Sequence, residues 1–147
     1  MADLTTRPVT PEDFTFCWSL YAPTVQEHLA ALIAGGWNAE KERERFRGIW
    51  QSDETHVIQY DGLPVGWISV RKGETEFEIQ HLYVDPRYQR RGVASILINF
   101  VADEARKAGK HVSAEVLKSS TVLDLARKTG FLKVGTTELT HQIRRNP

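Results

Sequence analysis

Residues 82–94 read LYVDPRYQRRGVA and join a strand-like segment to a helical one through a basic turn that contains a glycine. The residues just before the turn, 76–84, include apolar side chains at the spacing of a strand. After the turn, apolar residues recur every three or four positions until Gly109, which predicts an amphipathic helix with a glycine at its C-terminal end. A strand, a tight turn and a long helix in this order indicate an α/β fold.

The turn itself predicts a site for an anion. The first turn of a helix leaves backbone N–H groups without helical partners and carries partial positive charge, and a pyrophosphate fits both features. Gly92 has no Cβ and lets a phosphate approach the main chain, while Arg90 and Arg91 supply charge beside it. A solvated turn without a ligand is the structural alternative.

Three helices are expected before the first hairpin. The first covers 11–21 behind Thr10 as its N-cap, and Pro23 is expected to interrupt it. A second, from about residue 24, carries an apolar stripe and ends at the glycine pair 35–36. A charged third helix covers about 40–50. Its expected inward face consists of Phe46, Ile49 and Trp50.

Segments of period two predict the sheet. Residues 56–60 and 65–70 flank the turn dipeptide Asp61-Gly62, which predicts a hairpin. Together with the strand at 76–84 they form an antiparallel meander behind a short first strand. The remaining expected elements are a helix stripe of Val93, Ile96, Leu97, Phe100, Val101, Ala105 and Ala108, a strand at 111–116, a helix at 119–129 and strands at 131–134 and 137–143.

Composition narrows the classes of function. The 147 residues contain 19 Lys plus Arg and 19 Asp plus Glu, so no basic excess attracts the chain to nucleic acid or to an anionic membrane. The apolar runs are too short to span a bilayer, and the first residues lack the pattern of a signal peptide. The single cysteine suits a reducing compartment. We therefore expect a cytoplasmic single domain over 1–147, without nucleic-acid or membrane partners and without metal-ligand spacing.

The segment Gln89-Arg90-Arg91-Gly92-Val93-Ala94 resembles the Q/R-x-x-G-x-G/A signature of the GNAT superfamily of N-acetyltransferases, and residues 82–86 resemble its preceding strand. Residues 125–131 resemble the family's L-Y-x-x-x-G-F helix ending, and residues 36–38 and 140–141 resemble a bacterial branch. The resemblance implies a GNAT fold. In that fold, helices flank a mixed, mostly antiparallel sheet that is splayed at the cofactor-binding strand. It also implies acetyl-coenzyme A as cosubstrate.

The resemblance assigns roles to individual residues. The backbone of residues 82–84 would pair with the pantetheine arm, and the N–H groups of residues 89–95 would surround the pyrophosphate. Two serines occupy the region where the family often has a coenzyme-contacting asparagine. The implied cofactor-binding residues are Leu82, Tyr83, Val84, Gln89, Arg90, Arg91, Gly92, Val93, Ala94, Ser95, Ser119 and Ser120.

Catalysis needs a base more than an acid. A lysine-like amine of pKa ~10.4 lies about 3.4 units above pH 7, which corresponds to roughly 4.6 kcal/mol for deprotonation. Glu78 stands eleven residues before Gln89, as does the base of the family's histone-modifying members, although a carboxylate on the polar face of a strand is the alternative. Ala126 replaces the family's frequent tyrosine acid. A thiolate of pKa ~8.5 leaves readily, so the resulting penalty is expected to be small.

The acceptor is a primary amine that the sequence does not identify. Tyr21, Trp37 and His28 are candidates for the acceptor pocket, with core or surface positions as the alternatives, and His81 is expected to point away from Glu78. Polyamines, antibiotics, amino acids and protein amines all remain open, and so does the oligomeric state, a homodimer included. A coenzyme-A-binding regulatory or sensor module without turnover is the alternative function.

Overall fold

The computed structural model describes residues 3–29, 36–50, 53–89, 91–117, 122–138 and 140–147. Its helices are α1 (Phe14–Leu29), α2 (Ala39–Trp50), α3 (Val93–Lys107) and α4 (Val122–Lys128). Its strands are β1 (Leu4–Pro8), β2 (Thr55–Tyr60), β3 (Leu63–Lys72), β4 (Glu76–Val84), β5 (His111–Leu117), β6 (Leu132–Thr136) and β7 (Thr140–Arg145). In the described part of the chain, no helix is long and apolar enough to cross a membrane.

The seven strands hydrogen-bond in the order β1-β2-β3-β4-β5-β7-β6. The pairs β1–β2, β5–β7 and β6–β7 are antiparallel, whereas β4 and β5 run parallel. A parallel neighbour requires a crossover connection, and α3 lies in that connection. The predicted fold class, a mixed and mostly antiparallel sheet with flanking helices, is confirmed.

Two compact units divide the chain. The first consists of residues 1–68 and 83–87, and the second of residues 69–82 and 88–147. The expectation of a single domain over 1–147 stays a prediction.

An aromatic cluster forms the core of the first unit. The Phe46 ring of α2 lies 4.5 Å from that of Tyr21 and 5.7 Å from that of Trp67, measured between centroids. Phe14 contacts both Phe46 and Trp50. Phe46 and Trp67 are fully buried, so the cluster removes a large apolar surface from water and stabilises the packing of α1 and α2 in this unit.

The second unit is built on β5 and α3. Val112 of β5 is buried at 1% exposure, and α3 buries an apolar stripe. The buried stripe of α3 consists of Val93, Leu97, Ile98, Val101, Ala102 and Ala105. Gly109 follows the helix with a φ of 71°, as its predicted role at the C-terminal end requires.

The predicted break at Pro23 is wrong, because α1 continues through it to Leu29. Proline removes the N–H that would bond to the carbonyl of Ser19, but Ser19 is exposed, so water can solvate that carbonyl. Thr24 Oγ1 also donates to the Leu20 carbonyl at 3.2 Å. The predicted second helix is therefore partly a continuation of α1, and its end at residues 30–35 lies outside the described residues.

Two predicted helix faces need correction. Ile49 of α2 is 43% exposed, whereas Phe46 and Trp50 are buried as predicted. Ile96 and Phe100 of α3 are 55% and 60% exposed, and Ile98 and Ala102 are buried in their place. The apolar residues of both helices cover more than one face, so the packing partners rather than the pattern decide which face is buried.

The strand predictions are confirmed apart from their ends. The 76–84 strand has the predicted bounds, and Asp61 and Gly62 form the hairpin turn with φ values of 51° and 81°. The last two strands begin one and three residues later than predicted. The start of the helix predicted at 119–129 lies outside the described residues.

Candidate functional site

The N-terminus of α3 has no side-chain cap. Gly92 occupies the N-cap position with a φ of 80°, and the first helical bond runs from Ile96 N to the Gly92 carbonyl at 2.9 Å. The first turn contains no acidic residue, and a Cβ on Gly92 would meet no atom within 4 Å. The helix therefore begins without a side-chain cap at a left-handed glycine that has room beside its Cα, a geometry that suits an anion.

In the turn before α3, one basic side chain contacts another residue of the same turn. The Arg91 guanidinium lies 5.2 Å from the centroid of the Tyr88 ring. This contact holds a positive charge on the segment that enters α3. Gln89 is exposed, while Arg90 lies outside the described residues.

The strands β4 and β5 are paired along only part of their length. Their parallel register runs from Glu76 opposite His111 to Ile79 opposite Ala114. Beyond it, β4 continues to Val84, and β5 turns to β7 alone, with pairing as far as Leu117 opposite Thr140. The parallel pairing of β4 with β5 thus ends at Ile79, which agrees with the splay that the family resemblance implies.

A one-residue bulge accompanies the splay. Gly73 N donates to Glu76 O at one end of the β3–β4 pair, and Asp85 N donates to Val65 O at the other, so β4 has one residue more than β3 between them. The extra residue lies after Gln80, because the side chains of Ser69 and Gln80 still hydrogen-bond in the register set by Gly73 and Glu76.

Stacking in the first unit fits the shifted register. The Tyr83 ring lies 5.1 Å from that of Trp67, nearly parallel to it, so the two side chains share a face. The extra residue is therefore at His81 or Leu82, directly before or at the start of the segment 82–84 that is predicted to bind the pantetheine arm. Burial lowers the pKa of His81 and favours its neutral form.

Gly66 of β3 permits the chain path at the next residues of β4. A Cβ at this position would overlap the Tyr83 carbonyl oxygen and crowd the Val84 Cα. Any larger residue would have to displace the backbone of β4 there.

Glu78, the predicted base, lies on β4 in the second unit. Its Oε2 accepts from Arg71 Nη2 of β3 at 3.0 Å, and its side chain is 31% exposed. The Glu78 carboxylate is thus half-buried beside a cationic neighbour. The ion pair also has a structural explanation as a cross-strand contact, so the role of Glu78 stays a prediction.

The residues predicted for the acceptor pocket belong to the first unit. Tyr21 is buried in the aromatic cluster, and burial raises the pKa of its phenol. Trp37 is half-buried just before α2, and the side chain of His28 lies outside the described part. Tyr21 thus contributes to the core, whereas Trp37 keeps an accessible surface.

Ala126, at the position of the family's usual tyrosine, is 2% exposed inside α4. The carbonyl of Ala126 accepts from Phe131 N at 3.0 Å in the turn that ends the helix at Gly130. A phenol at this position would overfill the space around the methyl group. The cofactor candidates Ser119 and Ser120 lie outside the described residues.

Sequence reasoning missed a buried carboxylate on α2. The Glu42 side chain is 5% exposed, and Arg45 Nη1 lies 3.5 Å from its Oε2. The signal was present, because Glu42, Phe46 and Trp50 follow one another at intervals of four residues on one helix face. Its negative charge contributes to the raised pKa of Tyr21, after burial.

Metal chemistry and thiol chemistry have little basis in the described residues. The described residues contain no group of three or more His, Cys, Asp or Glu side chains that could hold a metal ion. Cys17 is fully buried, and burial raises the pKa of its thiol to about 12. A thiol in that state is a poor nucleophile at neutral pH.

Comparisons with known proteins agree on one family. The model described as "Acetyltransferase (GNAT) family" matches residues 13–131. A curated relative, an uncharacterized N-acetyltransferase of Methanocaldococcus jannaschii, is 32% identical over 76 residues, or 46% of this chain. The match spans about a third of that relative, 34% of its length.

Solved structures share the fold at low sequence identity. An acetyltransferase from Thermus thermophilus superposes with a TM-score of 0.76 at 16% identity, covering 98% of this chain and 97% of that one. The PaiA N-acetyltransferase from Thermoplasma acidophilum, solved in complex with coenzyme A, gives 0.68 at 16% identity and covers 99% of both chains.

Proposed function

The chain belongs to the acetyltransferase (GNAT) family, and from this premise we propose that it transfers the acetyl group of acetyl-coenzyme A to a primary amine. The observation that carries the proposal is the N-terminus of α3, which has no side-chain cap and begins at Gly92 with room beside it. Pyrophosphate is the part of coenzyme A that such a site would bind.

The proposed cofactor contacts are those implied by the family resemblance. The N–H groups of residues 89–95 would bind the pyrophosphate, with Arg91 adding charge. The backbone of residues 82–84 would pair with the pantetheine arm. Support comes from the sheet, where the parallel register of β4 with β5 ends at Ile79 opposite Ala114. The adenine end and the roles of Arg90, Ser119 and Ser120 rest on the sequence alone.

The proposed reaction is direct attack of the amine on the thioester. The amine nitrogen forms a bond to the acetyl carbon, coenzyme A leaves as thiolate, and Glu78 accepts the proton that the amine loses, directly or through water. The exposed fraction of Glu78 supports this role. A small Ala126 is compatible with a leaving group that needs no acid, because a thiolate of pKa ~8.5 leaves without protonation. The cytoplasm is the proposed compartment, since the lone cysteine suits a reducing environment.

Replacing Glu78 with glutamine tests the proposal. The amide keeps the shape and removes the basicity, so kcat is expected to fall by about 10² or more with coenzyme A affinity retained. Glu76→Gln is the matched control, because Glu76 lies two residues away on the same strand and contacts His111 at 3.0 Å. The measurement is acceptor-dependent release of coenzyme A across a panel of amines.

Three results would count against the proposal in different ways. A wild-type rate in Glu78→Gln would assign the base to another group, such as His28, Tyr21 or solvent. An equal loss in Glu76→Gln would indicate that the strand rather than the base was damaged. Coenzyme A binding without release for any amine would favour the alternative of a regulatory or sensor module.

A further inference from the structure

The sheet of the second unit has two unlike faces. One face is apolar and carries Phe77, Val112, Ile79 and Ile143, all of which are buried. On the same side, Arg145 Nη1 donates to Asn99 Oδ1 of α3 and to the Thr129 carbonyl just after α4, both at 2.7 Å. Both α3 and α4 therefore lie over this face.

The opposite face is polar. Glu78 is the register partner of Ser113, and Ser113 is the register partner of Arg144, so these three side chains point to the same side of the sheet. Arg71 joins them through its ion pair with Glu78. We call these four residues the polar row; none of them is buried.

The polar row carries both signs of charge across four strands. In order it presents a guanidinium, a carboxylate, a hydroxyl and a second guanidinium. Among the described residues Arg144 has no ion-pair partner, whereas nearby carboxylates on this face are occupied. Glu76 contacts His111, and Glu115 accepts from Thr140 Oγ1 at 3.4 Å. Arg144 is thus an exposed cation two strands, or roughly 10 Å between Cα atoms, from Glu78.

We propose that the polar row selects an acceptor that carries a carboxylate as well as the amine. The inference rests on the proposed function, in which Glu78 takes the proton of the amine. A carboxylate directed toward Arg144 would give that guanidinium an ion-pair partner, while the amine would share the Glu78 carboxylate with Arg71. Guanidinium–carboxylate pairs are strong and directional. A diamine or polyamine would instead place its second cation against a guanidinium. The favoured acceptors are therefore small amino acids rather than polyamines.

Three probes of equal chain length test this inference. They are 5-aminopentanoate, 1-aminopentane and 1,5-diaminopentane, which carry a negative, a neutral and a positive group at the far end. The wild-type protein is expected to acetylate 5-aminopentanoate with a kcat/KM at least about tenfold above that of the diamine. In Arg144→Met this ratio should fall to about one, mainly through a higher KM for 5-aminopentanoate.

Arg127→Met is the matched control, since Arg127 is an exposed arginine on α4, over the other face. It should keep the wild-type ratio, and coenzyme A affinity should report that both variants are folded. Equal or better use of the diamine by the wild type would overturn the inference and leave the proposed function intact. So would an unchanged ratio in Arg144→Met. Release of coenzyme A with none of these or other amines would overturn the proposed function and this inference with it.

Discussion

The helices α1 and α3 begin in opposite ways. The 3₁₀ turn Pro11–Asp13 that leads into α1 is closed by the chain itself, because the Asp13 carboxylate accepts from Thr10 N at 2.8 Å and Thr10 Oγ1 at 3.2 Å. Arg7 then binds both oxygens of Asp13 at 2.8 Å. The helix α3 has Gly92 in place of the cap and no acid in its first turn.

The difference separates a structural helix start from a binding one. Both ends have unpaired N–H groups and the same partial charge. Where an internal carboxylate closes the turn, as Asp13 does by accepting from Thr10, the gain is stability. Where no side chain does, the same groups are available to a ligand, and stability is given up locally. Substitutions at the two helix starts test this difference.

The largest expected effect comes from giving α3 a carboxylate of its own. Gly92→Glu puts an anion where the pyrophosphate is proposed to bind, so coenzyme A affinity should fall on the order of a hundredfold, about 2.7 kcal/mol, in calorimetry. Gly62→Glu is the control for backbone strain, because Gly62 has a φ of 81° and equally open surroundings in the β2–β3 turn. Unchanged affinity in a folded Gly92→Glu protein would remove the site from α3.

Asp13→Asn removes the carboxylate that closes the turn before α1, and we expect it to change stability alone. Hydrogen bonds from Arg7 lower the pKa of Asp13 from 3.8 to about 2. The ionised carboxylate therefore stabilises the fold fully above about pH 4, and this contribution disappears as the pH falls toward 2. We expect a loss of about 1–2 kcal/mol in the free energy of unfolding at pH 7, measured with urea.

The same experiment at low pH sharpens the comparison. Wild type and Asp13→Asn should converge in stability as the pH approaches 2. The two proteins should bind coenzyme A with the same affinity at pH 7, because the start of α1 is not proposed to bind the cofactor. A gap that persisted at low pH, or a change in affinity, would mean that Asp13 acts through something other than its charge.

The smallest effect is expected from Arg91→Met. The side chain adds charge beside α3 but is exposed, so coenzyme A affinity should fall about two- to fivefold at low salt and less at about 0.3 M salt, because ions screen an exposed charge. Arg106→Met at the other end of α3 is the control and should bind normally. A loss in Arg91→Met that did not depend on salt would indicate a direct, buried contact.

The spacing of apolar residues and the positions of proline, glycine and other turn residues predicted much of the fold. The strand at 76–84 was predicted with its observed bounds, because a period-two segment ends at Asp85-Pro86. The same reasoning failed at Pro23, where an exposed carbonyl tolerated the missing bond, and at Ile49, where the buried face was chosen by the aromatic rings of other elements. Local pattern predicts elements well and their buried faces less well.

The candidate site likewise has a part that could be predicted from the sequence and a part that could not. A glycine at a helix N-terminus is visible in one segment, so the α3 turn could be predicted. The polar row could not be, because Glu78 and Arg144 are far apart in sequence and meet only through the register of β4, β5 and β7. The bulge in β4 was also hidden, since it appears only when β4 is aligned with β3.

The burial of Cys17 has a practical consequence for measuring turnover. Burial raises the pKa of its thiol to about 12, so very little thiolate is present at pH 7. The sequence contains no other cysteine. A disulfide reagent that reports free thiols should therefore react with released coenzyme A and leave the folded protein unmodified. The slow labelling that remains would report how often the aromatic cluster opens.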